Sequence, residues 1–135
     1  MIGITKCCIH PSSWFRNKAR IGGTKNININ KVHGLAPDLI IANKEENIKE
    51  QLEQLEKIAP VWISDVQDIP GAFNMMRSIG EITGKEEKAG ALIDQVKKDF
   101  SAFPSSKKNY RSAYLIWKDP YMAAGGDTFI HDMVQ

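Results

Sequence analysis

Two short apolar runs, Asp38–Ala42 (DLIIA) and Val61–Ser64 (VWIS), with one helical stripe between them, constrain this chain more than any other feature. Between the runs, Ile48, Leu52, Leu55 and Ile58 recur at spacings of four, three and three, which is one face of an amphipathic helix over Glu46–Ile58. Pro37-Asp38 leads into the first run, and Pro60 stops the helix before the second. The pattern continues on both sides. Ile2–Thr5 reads as a short strand, and His10–Asn26, rich in Pro, Ser, Asn and Gly, reads as a loop. Ile29, Val32 and Leu35 then mark a short helix, with Asn28 as its N-cap and Gly34 and Pro37 at its exit. Downstream, Ala72, Phe73, Met76, Ile79 and Ile82 trace a helix closed by Gly84. Ala89, Leu92, Val96, Phe100 and Phe103 trace a longer one from Lys85 to Phe103. A break at Phe103–Asn109, a strand at Tyr110–Trp117, a turn-rich loop and a last helix capped by Asp127 complete the order. Strands alternating with helices in this way predict an α/β fold with a parallel sheet.

Composition narrows the class. At 135 residues the chain has single-domain length, with 42% hydrophobic and 25% charged residues, as in soluble globular proteins. A net charge of +2 gives no reason to expect nucleic-acid binding, and no run of eighteen apolar residues predicts a membrane span. The first residues lack the charged and apolar blocks of a signal peptide. Cys7 and Cys8 are adjacent, where a disulfide would be strained, so no disulfide framework is expected. With His10 they offer three soft ligands where a closed zinc site takes about four. The plainer expectation is a buried or half-buried pair of small apolar side chains at a strand end.

In open α/β sheets, ligands bind outside the carboxyl ends of the strands. Asn43, Lys44, Glu45 and Glu46 follow the DLIIA run and fall at that position. The same residues would equally suit a solvated loop in which Glu46 and Asn47 cap the next helix.

The ordered set "GGTKN", "LAPDLIIANKEEN", "PVWISD", "IGEITGKEEKA" and "YMAAGGDTFIHDMV" resembles the helical-backbone substrate-binding proteins of ABC importers, the receptors for vitamin B12, ferric siderophores and haem. The resemblance spans Ile2 to Val134. It implies an N-terminal α/β lobe at 1–83 lacking its first strand and helix, an interlobe helix at 84–104, and the start of a C-terminal lobe at 105–135. It also implies a periplasmic or cell-surface binding module with no catalysis and no cofactor of its own. Such a module would hold an iron or cobalt chelate, or haem, in an interlobe cleft and deliver it to a permease. Carried over by position, the ligand-binding residues would be Trp14, Gly23, Thr24, Asn43, Lys44 and Glu45, with Trp117 and Tyr121 as stacking residues from the second lobe. Some vitamin B12 receptors hold an aromatic residue where this chain has Asn43, which counts against cobalamin. The acidic residue that meets a permease arginine would be Glu50, because the matching position is Lys49.

A second reading is a metal- or cofactor-binding α/β domain of an enzyme, of the chelatase or metal-cluster assembly type. Its site would use Cys7, Cys8 and His10 together with Asp127 and His131. No serine–histidine–aspartate triad, P-loop or GxGxxG signature supports other enzyme classes. The opening strand and the closing apolar stripe of Ile130, Met133 and Val134 both look short of partners. The purified chain is therefore expected to melt at low temperature or to self-associate into a homo-oligomer. A cooperative, high-temperature melt of a monomer, followed by calorimetry and light scattering, would contradict this expectation.

Overall fold

The computed structural model describes residues 1–103 and 110–134. In chain order the elements are β1 (Gly3–Ile4), α1 (Ser12–Asn17), β2 (Ala19–Arg20), β3 (Gly22–Gly23), β4 (Asn26–Ile27), α2 (Ile29–Leu35) and β5 (Ile40–Asn43). They continue as α3 (Lys49–Leu55), β6 (Val61–Ser64), α4 (Ile69–Thr83), α5 (Glu86–Ser101), β7 (Leu115–Trp117), β8 (Met122–Ala123) and α6 (Phe129–Val134). The α/β class expected from the alternation is the one found. Pairing among the described residues is local: β1–β2 and β5–β6 run parallel, while β3–β4 and β7–β8 are antiparallel. The chain divides into two compact units, Met1–Asp65 and Val66–Gln135.

The first unit is built around the strand–helix–strand pattern. Ile40 pairs with Val61 and Asn43 with Ser64, which puts the polar ends of both runs side by side. Beneath the strands, Ile27, Val32, Ala42, Leu52 and Leu55 form the core, with Ile21, Ile29, Ile40, Ile58 and Val61 packed against it. The helical stripe supplies Leu52 and Leu55, and Val32 comes from the middle of α2. Asn28 caps α2 as expected, its side chain accepting a hydrogen bond from Lys31 N at 2.9 Å.

Several expectations need correction. The DLIIA run is not fully buried: Ala42 is, but Ile41 on the opposite face is 48% exposed. The α3 helix begins at Lys49 instead of Glu46, because Asn43 and Asn47 close a turn first, through Asn47 N on Asn43 O at 3.0 Å. The stretch read as a continuous loop contains α1, which starts after Pro11 with Trp14 N donating to Pro11 O at 2.9 Å. None of its residues is buried, so no apolar period could announce it.

In the second unit, α4 opens at a doubly satisfied N-terminus. The Asp68 side chain accepts from Gly71 N at 2.6 Å, and the Asp132 side chain from α6 accepts from Ile69 N at 2.9 Å. Gly84 ends α4 in the left-handed conformation, with φ at 60°. A Cβ built on Gly80 would lie 2.6 Å from Ala89 Cβ, so the α4–α5 contact depends on that glycine. Lys97 Nζ sits 5.3 Å from the centre of the Phe73 ring. Gly80–Ala89 and Phe73–Lys97 step in opposite directions along the two helices, which therefore run antiparallel. The strand expected over Tyr110–Trp117 shortens to Leu115–Trp117, and the cap of α6 is Thr128, one residue after Asp127. Thr128 accepts from Asp132 N at its carbonyl and from His131 N at its hydroxyl. The break expected at Pro104–Asn109 lies outside the described residues.

Leu55, 2% exposed, is the most buried large side chain of the first unit. Leu55→Ala is expected to lower unfolding free energy by about 2–5 kcal/mol, read from urea denaturation with an unchanged m-value.

Candidate functional site

The polar residues after β5 are largely bonded to their own chain. Asn43 Oδ1 accepts from Glu46 N at 3.0 Å, and Asn43 Nδ2 donates to the Ser64 hydroxyl at 3.2 Å on the neighbouring strand. Asn47 works in the opposite direction. Its Oδ1 accepts from Asn43 N at 2.9 Å, and its Nδ2 donates to Thr24 O at 3.1 Å. Ser64 donates in turn to Ala42 O at 3.3 Å. A short asparagine-centred lattice thus ties the tip of β5 to the tip of β6 and to the β3–β4 hairpin.

The hairpin returns the contacts. Thr24 Oγ1 donates to Glu46 Oε2 at 3.3 Å, Lys25 Nζ donates to Glu45 O at 2.8 Å, and Gln51 accepts from Ile27 N at 3.1 Å. Gly22 has φ at 113°, and a Cβ there would come within 2.3 Å of Asn26 O, so the tight turn requires glycine. Gly23 differs. A Cβ at that position would meet nothing within 4 Å, so the chain's own packing leaves the space beside it open. Lys44 pairs with Asp65 across the strand ends. The hydrogen bond it donates to Asp65, and after it the Asp65 charge, hold the Lys44 ammonium above its ordinary titration range.

Of the residues expected to bind a ligand, the structure therefore brings together Gly23, Thr24, Asn43, Lys44 and Glu45. It commits Asn43 and Lys44 to holding the loops. Glu45 keeps a carboxylate with no hydrogen bond or ion pair among the described residues, and its backbone carbonyl takes the Lys25 contact. Trp14, on α1, lies outside this lattice and is 41% exposed. Trp117 and Tyr121 belong to the second unit, on β7 and on the turn before β8, at 64% and 69% exposure. Glu50 is exposed on the first turn of α3, where its neighbour Lys49 pairs with Glu53 at 3.9 Å.

Cys7 and Cys8 do not form the half-buried pair expected at the strand end; both are free and exposed. β1 stops at Ile4, and a tight turn, with Cys8 N on Thr5 O at 3.2 Å, carries them outward. Among the described residues, no group of three or more His, Cys, Asp and Glu is placed to hold a metal ion. No helix among them is long and apolar enough to cross a membrane.

Two features go beyond what the sequence pattern indicates. The pattern marks Asn47 only as a cap, whereas its amide joins three segments of chain. A basic concavity of about 310 Å³ beside the hairpin, lined by Lys6, Arg20, Gly22, Asn26, Asn28 and Lys31, has no counterpart in any local spacing. Its cations are scattered along the sequence and converge only when β1 pairs with β2 and α2 folds back.

The chain belongs to the periplasmic binding protein family, whose pattern matches residues 6–135. This is the family to which its motifs pointed, that of ABC-importer substrate-binding proteins. An uncharacterised ABC transporter substrate-binding lipoprotein of Bacillus subtilis, YvrC, is 28% identical over 99% of this chain and 46% of its own length. The crystal structure of a possible iron-binding, periplasmic solute-binding protein from Staphylococcus epidermidis superposes with a TM-score of 0.79 at 26% identity, over 98% of this chain and 55% of the other. The vitamin B12-binding protein BtuF of Vibrio cholerae also gives 0.79, over 97% and 52%, and at 18% identity it shares the fold. The chain spans about half the length of the relatives it matches.

Asn47→Ala removes both side-chain bonds of a half-buried group. It is expected to cost about 1–3 kcal/mol and to speed amide hydrogen exchange at Asn43 far more than at Val32 in the core. Equal acceleration at both sites would contradict a local bracing role.

Proposed function

We propose that this chain forms the ligand-capturing part of an ABC-importer substrate-binding protein that takes up an iron or cobalt chelate, haem included, and passes it to a permease without chemical change. The observation that carries this reading is the family match across residues 6–135, combined with strand-tip loops that are braced in place before a ligand arrives. The description of the Staphylococcus epidermidis relative as a possible iron-binding protein supports an iron chelate over other cargo.

In this reading the braced loops are a fixed wall. Gly23 lets a ligand approach the backbone, Thr24 and Glu45 present polar groups along the wall, and Trp14 offers an aromatic face to a flat or catechol-bearing ligand. Asn43 and Lys44 act by holding that wall. Trp117 and Tyr121, both exposed, would stack on the ligand from the second unit. Helix α5 (Glu86–Ser101), within the stretch expected to join two lobes, would be the rigid interlobe helix, limiting closure on the ligand. Glu50 meets a permease arginine, one exposed contact among several, since a single such pair contributes little. The working location is the periplasm or the outer cell surface.

Titration of the whole receptor with haem, cyanocobalamin and a ferric siderophore, followed by tryptophan fluorescence, is expected to show saturable quenching with one of the iron ligands. Trp14→Ala should weaken that ligand about fivefold, the scale of a stacking contact of about 1 kcal/mol. Absence of quenching by all three ligands would overturn the reading.

A further inference from the structure

The basic concavity lies beside the β3–β4 hairpin. β1 delivers Lys6 one turn beyond Ile4, β2 delivers Arg20, and the first turn of α2 delivers Lys31. The hairpin contributes Gly22 and Asn26, and the α2 cap contributes Asn28. No acidic residue is among these six. Neither the Lys6 nor the Lys31 ammonium has an ion pair or side-chain hydrogen bond among the described residues, where the only ion pairs are Lys44–Asp65 and Lys49–Glu53.

Arg20 is held in place. Its Nη1 donates to Phe15 O at 2.6 Å, and its guanidinium lies 4.9 Å from the centre of the Phe15 ring, which leaves the rest of its fork uncommitted. Asn28 Oδ1 is occupied by Lys31 N, so its free amide hydrogens add donors to the same wall. Three cations line one hollow with no carboxylate among its lining residues, so an anion placed there meets attraction from each of them. Donors without acceptors, on rigid supports, in a space of about 310 Å³, suit a compact oxyanion group.

The geometry points to a subsite for a multiply charged oxyanion, carboxylate or phosphate, carried by the ligand and bound beside the hairpin by Lys6, Arg20 and Lys31. This rests on the ligand-capture reading above and adds to it the charge of the cargo. It favours chelates bearing free carboxylates over neutral ones.

The test uses the whole receptor and two probes, citrate and inorganic phosphate, measured by isothermal titration calorimetry at low salt. Saturable binding of either probe at a Kd of about 1 mM or tighter is expected, weakening as salt is raised, and the probe that binds identifies the source of the oxyanion. The double substitution Lys6→Gln/Lys31→Gln should weaken it about tenfold, while Lys6→Arg/Lys31→Arg should keep it within about threefold. Failure of both probes to bind, or equal binding by the glutamine variant, would overturn the subsite. The same proteins are titrated with haem and a ferric siderophore. Chelate capture without probe binding removes the subsite and leaves the receptor reading intact; lysine-dependent probe binding without chelate capture does the reverse.

Discussion

The first unit depends on a pair of amides. Strand ends expose backbone N–H and C=O groups that must find partners, and here two asparagine side chains supply them in both directions. Asn43 reaches forward into its own turn and sideways to Ser64, while Asn47 reaches back to Asn43 and across to Thr24. Each contact is modest alone. Together they join three loops that the hydrophobic core cannot reach, because Ala42 is the last buried residue before the tip.

That bracing changes what the sequence pattern means. A run of Asn, Lys, Glu, Glu and Asn at a strand end suggests groups presented to a ligand, whereas Asn43 and Lys44 are engaged within the chain and Glu45 is the residue left over. In the proposed receptor, room for a ligand comes instead from the space left beside Gly23 and from the basic hollow beside the hairpin. Lys44 and Asp65 close the two strand ends against each other in the same way, with charges in place of amides.

The strand–helix–strand core was legible because burial imposes a period. Leu52, Leu55 and Val32 are buried at the positions their spacing indicated, and Asn28 and Gly84 punctuate helices through conformations only a few residues adopt cheaply. Elements with no buried face left no trace. Helix α1 carries Trp14 and Phe15 without burying either, so its residues followed no apolar rhythm. Cys7 and Cys8 looked like core residues by type, yet a turn after a two-residue strand carries them into solvent. The basic hollow was harder still. Lys6, Arg20 and Lys31 share a hollow only through β1–β2 pairing and the course of α2, which no local spacing encodes.

The hairpin and the turn after β5 are stitched together by the folded chain itself, so a ligand meeting this side in the proposed receptor would have no loose segments to freeze. Loops that order only on contact slow docking and subtract from affinity through lost conformational freedom. A surface already fixed escapes both penalties, and in the proposed receptor the rate of capture at this wall would follow how often a cargo molecule arrives facing the right way.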